Sequence, residues 1–133
     1  MKSTPFDPKK DLAPIPFNRE ACGAAKIMKQ KGLKWQPQVG CFVWDEKKVI
    51  EVSSPFPHRI YFVLNLGHFL RRFDTLENMA EQLIWLPTWF QARQICRRLE
   101  IPAEKLVEAL PSAEEDDPES ELLRLYRSIA EHL

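Results

Sequence analysis

Apolar residues recur at helical spacing in several stretches of this chain and alternate with polar residues in others. Ala21, Ala24, Ala25 and Met28 share one face of a helix predicted from about Arg19 to Lys31, with Cys22 beside them. Asn18 stands at its N-cap, and Gly32 suits the left-handed position just past its end, with Leu33 placed to touch Met28. The small residues allow close approach to a sheet. Lys26, Lys29 and Lys31 crowd the C-terminal half, where the helix dipole favours cations.

Strand periodicity follows. Val39–Asp45 and Val49–Ser53 are predicted as a hairpin closed by Asp45-Glu46-Lys47-Lys48. Pairing Trp44 with Val49 puts Cys41, Val43, Ile50 and Val52 on an aliphatic, core-facing side, and Phe42, Trp44, Val49 and Glu51 on the other. Prolines make 54–58 a loop, and Arg59–Asn65 alternates as a third strand before Gly67 breaks it. His68–Phe73 is a short helix or turn. Asp74 with Glu77 resembles a capping box for a helix carrying Leu76, Met79, Ala80 and Leu83, which Pro87 ends.

A helix from about Thr88 to Glu100 then buries Trp89, Ala92, Cys96 and Leu99, and a short one follows Pro102. After an acidic linker, Asp117-Pro118 opens a last helix with the stripe Leu122, Leu125, Tyr126 and Ile129. At the other end, Pro5, Pro8, Pro14 and Pro16 make residues 1–17 an extended arm, whose Ile15 and Phe17 are expected to pack on the body. The fold class is therefore α+β: a small three-stranded antiparallel sheet with helices packed on one face and an extended Pro-rich N-terminal arm. The organisation is arm 1–17, a single α+β domain over 18–111, and 112–133 as acidic linker plus amphipathic helix packed on the domain or on a partner subunit.

Composition sharpens this picture. The chain has 133 residues, 44% of them apolar, enough for one domain with a real core and too apolar for disorder throughout. The net charge is zero, but residues 1–99 hold 16 Lys/Arg against 9 Asp/Glu, and residues 100–133 hold 3 against 10. A body of +7 is thus offset by a C-terminal segment of −7, a split that points to a basic surface facing an anion, either its own acidic segment or an external partner. No secretory leader pattern and no apolar run near 20 residues is present. The three separated cysteines suit a reducing cytoplasm better than a disulfide scaffold.

No motif fixes an activity. The leading chemistry is basic and aromatic: Arg71, Arg72, Arg93 and Arg97 with Trp85 or Trp89, the arginines for a carboxylate or phosphate and the tryptophans for stacking or anchoring. Arg93 and Arg97, four apart on one helix, repel each other unless an anion compensates. The segment Thr75–Leu99 resembles a helix-turn-helix in its two consecutive helices with Ala80 at the small-residue place, but Ile84-Trp85-Leu86-Pro87 stands where the tight turn usually has glycine.

A second group, His58, His68, Cys41 and Asn65, supplies the residue types of a small polar catalytic pocket, although no spacing supports it. Two histidines ten apart without a Cys or carboxylate partner are not a metal signature, and no cofactor motif is present. The reading is a non-catalytic binding or interaction module for an anionic or protein partner, with no membrane segment and with self-association expected from the apolar run Leu83–Phe90. A small enzyme using the His/Cys/Asn group is the alternative, and a nucleic-acid binder using the helix pair 75–99 is another.

Overall fold

The computed structural model describes residues 15–102 and 118–133, the side chains of 118–120 excepted. The arm before Ile15, the short helix expected after Pro102 and the acidic linker fall outside the described residues. Within them the order is α1 (Arg19–Gln30), β1 (Phe42–Trp44), a single 3₁₀ turn at Pro57–Arg59, β2 (Ile60–Phe62), α2 (Leu66–Phe73), α3 (Leu76–Gln82), β3 (Ile84–Leu86), α4 (Trp89–Arg98) and α5 (Pro118–Glu131). The architecture is α+β, with a three-stranded antiparallel sheet in the order β2-β1-β3.

Local signals set α1 at both ends. The Asn18 side chain accepts from the Ala21 N–H at 2.8 Å. Gly32 takes φ +102°, and the bonds Gly32 N–H to Lys29 C=O and Leu33 N–H to Met28 C=O, both 3.0 Å, close a Schellman motif. Two of the lysines do more than complement their own helix. The Lys29 ammonium donates to the carbonyls of Glu81 and Leu83 at the end of α3, and Lys31 donates to the Ala130 carbonyl near the end of α5. The C-terminus of α1 thereby fastens two other helix ends.

The sheet departs from the expected hairpin. The central strand pairs Phe42, Val43 and Trp44 with Phe62, Tyr61 and Ile60 on one side, and with Leu86, Trp85 and Ile84 on the other. Val49–Ser53 is not a strand, and Trp44 does not pair with Val49. The cause is Asp45. Its fully buried carboxylate accepts the N–H groups of Val49 and Ile50 at 3.0 and 2.9 Å, so those donors are unavailable to a ladder. Arg59 donates to the same carboxylate at 2.7 Å and to the Ile50 carbonyl at 2.6 Å. The loop is instead held to β2 by side chains, Ser54 to the Ile60 carbonyl and Tyr61 to the Val52 carbonyl. At the start of β1, Gly40 at φ +97° and Cys41 both oppose Val63, a glycine bulge that ends the pairing.

β3 replaces the end of the helix expected to run to Pro87. The helix stops at Gln82, and Ile84-Trp85-Leu86 extends along β1. Its N-cap is Thr75, whose hydroxyl accepts from the Asn78 N–H, rather than Asp74, which turns the chain at φ +67°. A strand therefore separates α3 from α4, and the two do not form the tight corner of a helix-turn-helix.

Two apolar clusters cover the sheet. One joins Ile60, Ile84 and Leu86 to α1, α4 and α5, with Phe42 and Trp44 packed against it. The main helical layer thus lies on the side that carries Phe42 and Trp44, not on the Cys41 and Val43 side. The smaller cluster gathers Cys41, Val43, Tyr61 and Val63 under Phe73 of α2 and Met79 of α3. Ile15 and Phe17 are buried as expected, and the Phe17 ring meets Phe42 at 5.1 Å. In α5 the stripe Leu122, Leu125, Tyr126 and Ile129 is fully buried against α1 and α4 of the same chain. Each such side chain contributes about 1.5–3 kcal/mol of apolar burial. The Tyr126 hydroxyl donates to the Pro87 carbonyl.

Candidate functional site

α4 positions most of the basic and aromatic candidates. Its start is fixed by a capping box: the Thr88 hydroxyl accepts from the Gln91 N–H at 3.2 Å, and the Gln91 side-chain oxygen accepts from the Thr88 N–H at 3.0 Å. Ala92, Ile95 and Cys96 face the core. The helical turn then carries Trp89, Arg93 and Arg97 up one flank, and Gln91, Gln94 and Arg98 up the other.

On the first flank, the Arg93 guanidinium lies 5.8 Å from the centre of the Trp89 ring. Trp89 is 36% exposed and Phe90 70% exposed, so Trp89 is at the surface and not in the core, as the helical pattern suggested. Arg93 and Arg97 are both exposed, and neither forms an ion pair among the described residues. The stack provides part of the compensation for the like-charged pair, since a ring face attracts a cation.

Arg71 and Arg72 sit elsewhere, in the last turn of α2. Arg72 donates from Nε to the Val49 carbonyl at 2.9 Å and lies 5.9 Å from the Phe73 ring centre. Among the described residues no hydrogen bond, ion pair or ring contact joins these two arginines to Arg93, Arg97 or Trp89.

Trp85 belongs to neither group. It stacks on Trp35 with ring centres 5.9 Å apart and planes within 10°. The two indoles line a cleft of about 430 Å³ between residues 33–38 and the second flank of α4. Gln91, Gln94 and Arg98 of α4, with Lys34, Gln36 and Gln38, supply its polar groups, Ile95 and Leu99 add aliphatic wall, and none of the described Asp or Glu residues lines it. Both indole N–H groups are buried without an acceptor. Trp35 and Gln94 were not singled out from the sequence. The only signal was the spacing of Gln91, Gln94 and Arg98 on one helix face, and the approach of Trp35 is a tertiary fact.

The His/Cys/Asn group is dispersed among other tasks. The Asn65 side chain caps α2 by accepting from the Gly67 N–H at 2.8 Å. Cys41 is buried in the smaller cluster. His58 is exposed in the 3₁₀ turn at φ +62°, and His68 is exposed on α2. No hydrogen bond links any two of these four side chains among the described residues.

The other ionisable groups serve the core. Burial pushes the Cys22 thiol up to about 12 and also raises Cys96 and Tyr126. Burial lowers Lys29, assisted by the nearby Lys47 charge. The hydrogen bond to Asp45 raises Arg59. Among the described residues, the three cysteines are free, and no cluster of three His, Cys, Asp or Glu could hold a metal. No described helix is long and apolar enough to cross a membrane. No family model, no curated protein and no solved structure matches the chain.

Proposed function

We propose that this protein is a non-catalytic binding module whose α4 surface takes an anionic ligand or an acidic protein partner. The observation that carries the reading is the exposed stripe Trp89, Arg93 and Arg97. The exposed Arg93 guanidinium lies 5.8 Å from the Trp89 ring centre, and no carboxylate among the described residues pairs with it or with Arg97. Arginine's planar fork then suits a carboxylate or phosphate, with Trp89 and Phe90 as an apolar anchor beside it.

The test is a titration of the full chain with heparin, DNA and RNA at rising salt. Retention that weakens with salt, and that Arg93→Ala with Arg97→Ala reduces by about tenfold, supports the reading. Retention of none of the three at low salt removes the polyanion version, nucleic acid included. Self-association belongs to the same proposal because Phe90 projects next to the stripe. Sedimentation of wild type against Phe90→Ser reads it directly, with a smaller species expected for the variant.

A further inference from the structure

We infer that the cleft between residues 33–38 and α4 binds a small organic anion with a flat apolar body, of the aryl phosphate or aryl carboxylate class. The inference rests on the reading of α4 as an anion-facing element and assigns its second flank a separate ligand. Size permits it: about 430 Å³ falls within the range of about 300–1,000 Å³ usual for small-molecule sites. The near-parallel Trp35 and Trp85 rings, with Ile95 and Leu99, give the apolar wall a flat body needs.

Charge selects the sign. Among the described residues the lining holds Lys34 and Arg98 and no carboxylate, a charge pattern that draws in an anion. Hydrogen-bonding capacity points the same way. The Gln91 oxygen is committed to the Thr88 N–H, which leaves its amide N–H₂ as the group with free capacity. The indole N–H groups of Trp35 and Trp85 are buried without acceptors. Both nitrogens are covered by neighbouring atoms, so they report on the cleft wall and are not part of its open polar lining. Lys34, Arg98 and the Gln91 amide therefore offer donors to an acceptor-rich ligand, while Gln36, Gln38 and Gln94 serve as donor or acceptor.

The experiment uses 1-naphthyl phosphate as probe and 1-naphthol as its neutral counterpart, followed in ¹H–¹⁵N spectra that resolve the indole N–H signals of the 4 tryptophans. The expected result is movement of the Trp35 and Trp85 signals while those of Trp44 and Trp89 stay in place. Binding of 1-naphthol should be about tenfold weaker, and Arg98→Ala should weaken the phosphate by about tenfold while the exposed Arg19→Ala leaves it unchanged. Static Trp35 and Trp85 signals, movement of Trp89 instead, or equal binding of the two probes would overturn the cleft assignment. The heparin and nucleic-acid titration separates the two ideas. Salt-dependent retention with static indoles sinks the cleft alone, and moving indoles without retention sink the Trp89 stripe alone.

Discussion

Asp45 is the residue on which the middle of the molecule turns. Its carboxylate is wholly enclosed and holds two backbone N–H groups and one guanidinium. Asp45→Ala leaves those two donors unsatisfied and is expected to cost on the order of 3 kcal/mol in urea unfolding, at about 1–3 kcal/mol per buried unpaired group. Asp45→Asn keeps an acceptor and should cost less. In the sequence this residue looked like the first member of a solvated hairpin loop, because nothing local distinguishes a carboxylate that turns inward. Asn18 and Gly32 were legible, since a cap acts on its nearest neighbours. The buried thiol and phenol yield a second expectation. Cys22 and Tyr126 have pKa values raised in the folded state, so the fold favours their neutral forms. The stability this contributes is complete below the unfolded values, about 9 for the thiol and 10 for the phenol, and declines as pH rises through the folded ones. Thermal melts should therefore be insensitive to these groups near neutrality and fall increasingly above pH 9, with a shallower fall in Cys22→Ala.

At the scale of elements, the helices were readable, and so were the regions of β1 and β2, but β3 was not. α1, α4 and α5 announce themselves by periodicity over ten or more residues, and α1 and α4 also by side chains that cap their own N-termini. Alternation marked the regions of β1 and β2 but overran their three-residue bounds, whereas Ile84-Trp85-Leu86 is apolar throughout because both of its faces are covered. Such a run reads equally well as the end of the preceding helix. What makes it a strand is β1, which lies some 40 residues earlier and bonds to it along its length. The candidate cleft was illegible for the same reason: Trp35 and Trp85 are 50 residues apart and meet only once the sheet has formed. The link between helix ends offers a test at this scale. Lys31→Met removes the donor to the Ala130 carbonyl, and amide exchange at the last turn of α5 should quicken while α4 is unaffected. Gly32→Ala, forcing a Cβ into φ +102°, should cost about 1 kcal/mol, measured by urea unfolding.

For the molecule as a whole, the zero net charge conceals a basic body and an acidic C-terminal segment, yet α5 is anchored by apolar contact. Leu122, Leu125, Tyr126 and Ile129 fill the centre of the main cluster. Leu125→Ala should cost about 2–5 kcal/mol, and deletion of 118–133 should abolish cooperative unfolding, both checked by calorimetry. Because the attachment is apolar, salt that weakens retention on a polyanion should leave the melting temperature nearly unchanged. Binding and stability would then respond to different variables, which lets the Arg93 and Arg98 variants be read without correction for unfolding.

The bond from Lys31 to Ala130 spans 99 positions of sequence. A ribosome adds about 5–20 residues per second, so α1 is made several seconds or more before the helix that covers it. During that interval Ala21, Ala24, Ala25 and Met28 have no α5 to rest on, and the Cys22 thiol is open to reagents that cannot touch it afterwards. The Cys22 thiol is thus a timer for the arrival of α5 over α1. Pulse alkylation during synthesis should label this thiol until residue 130 has cleared the exit tunnel, and then stop.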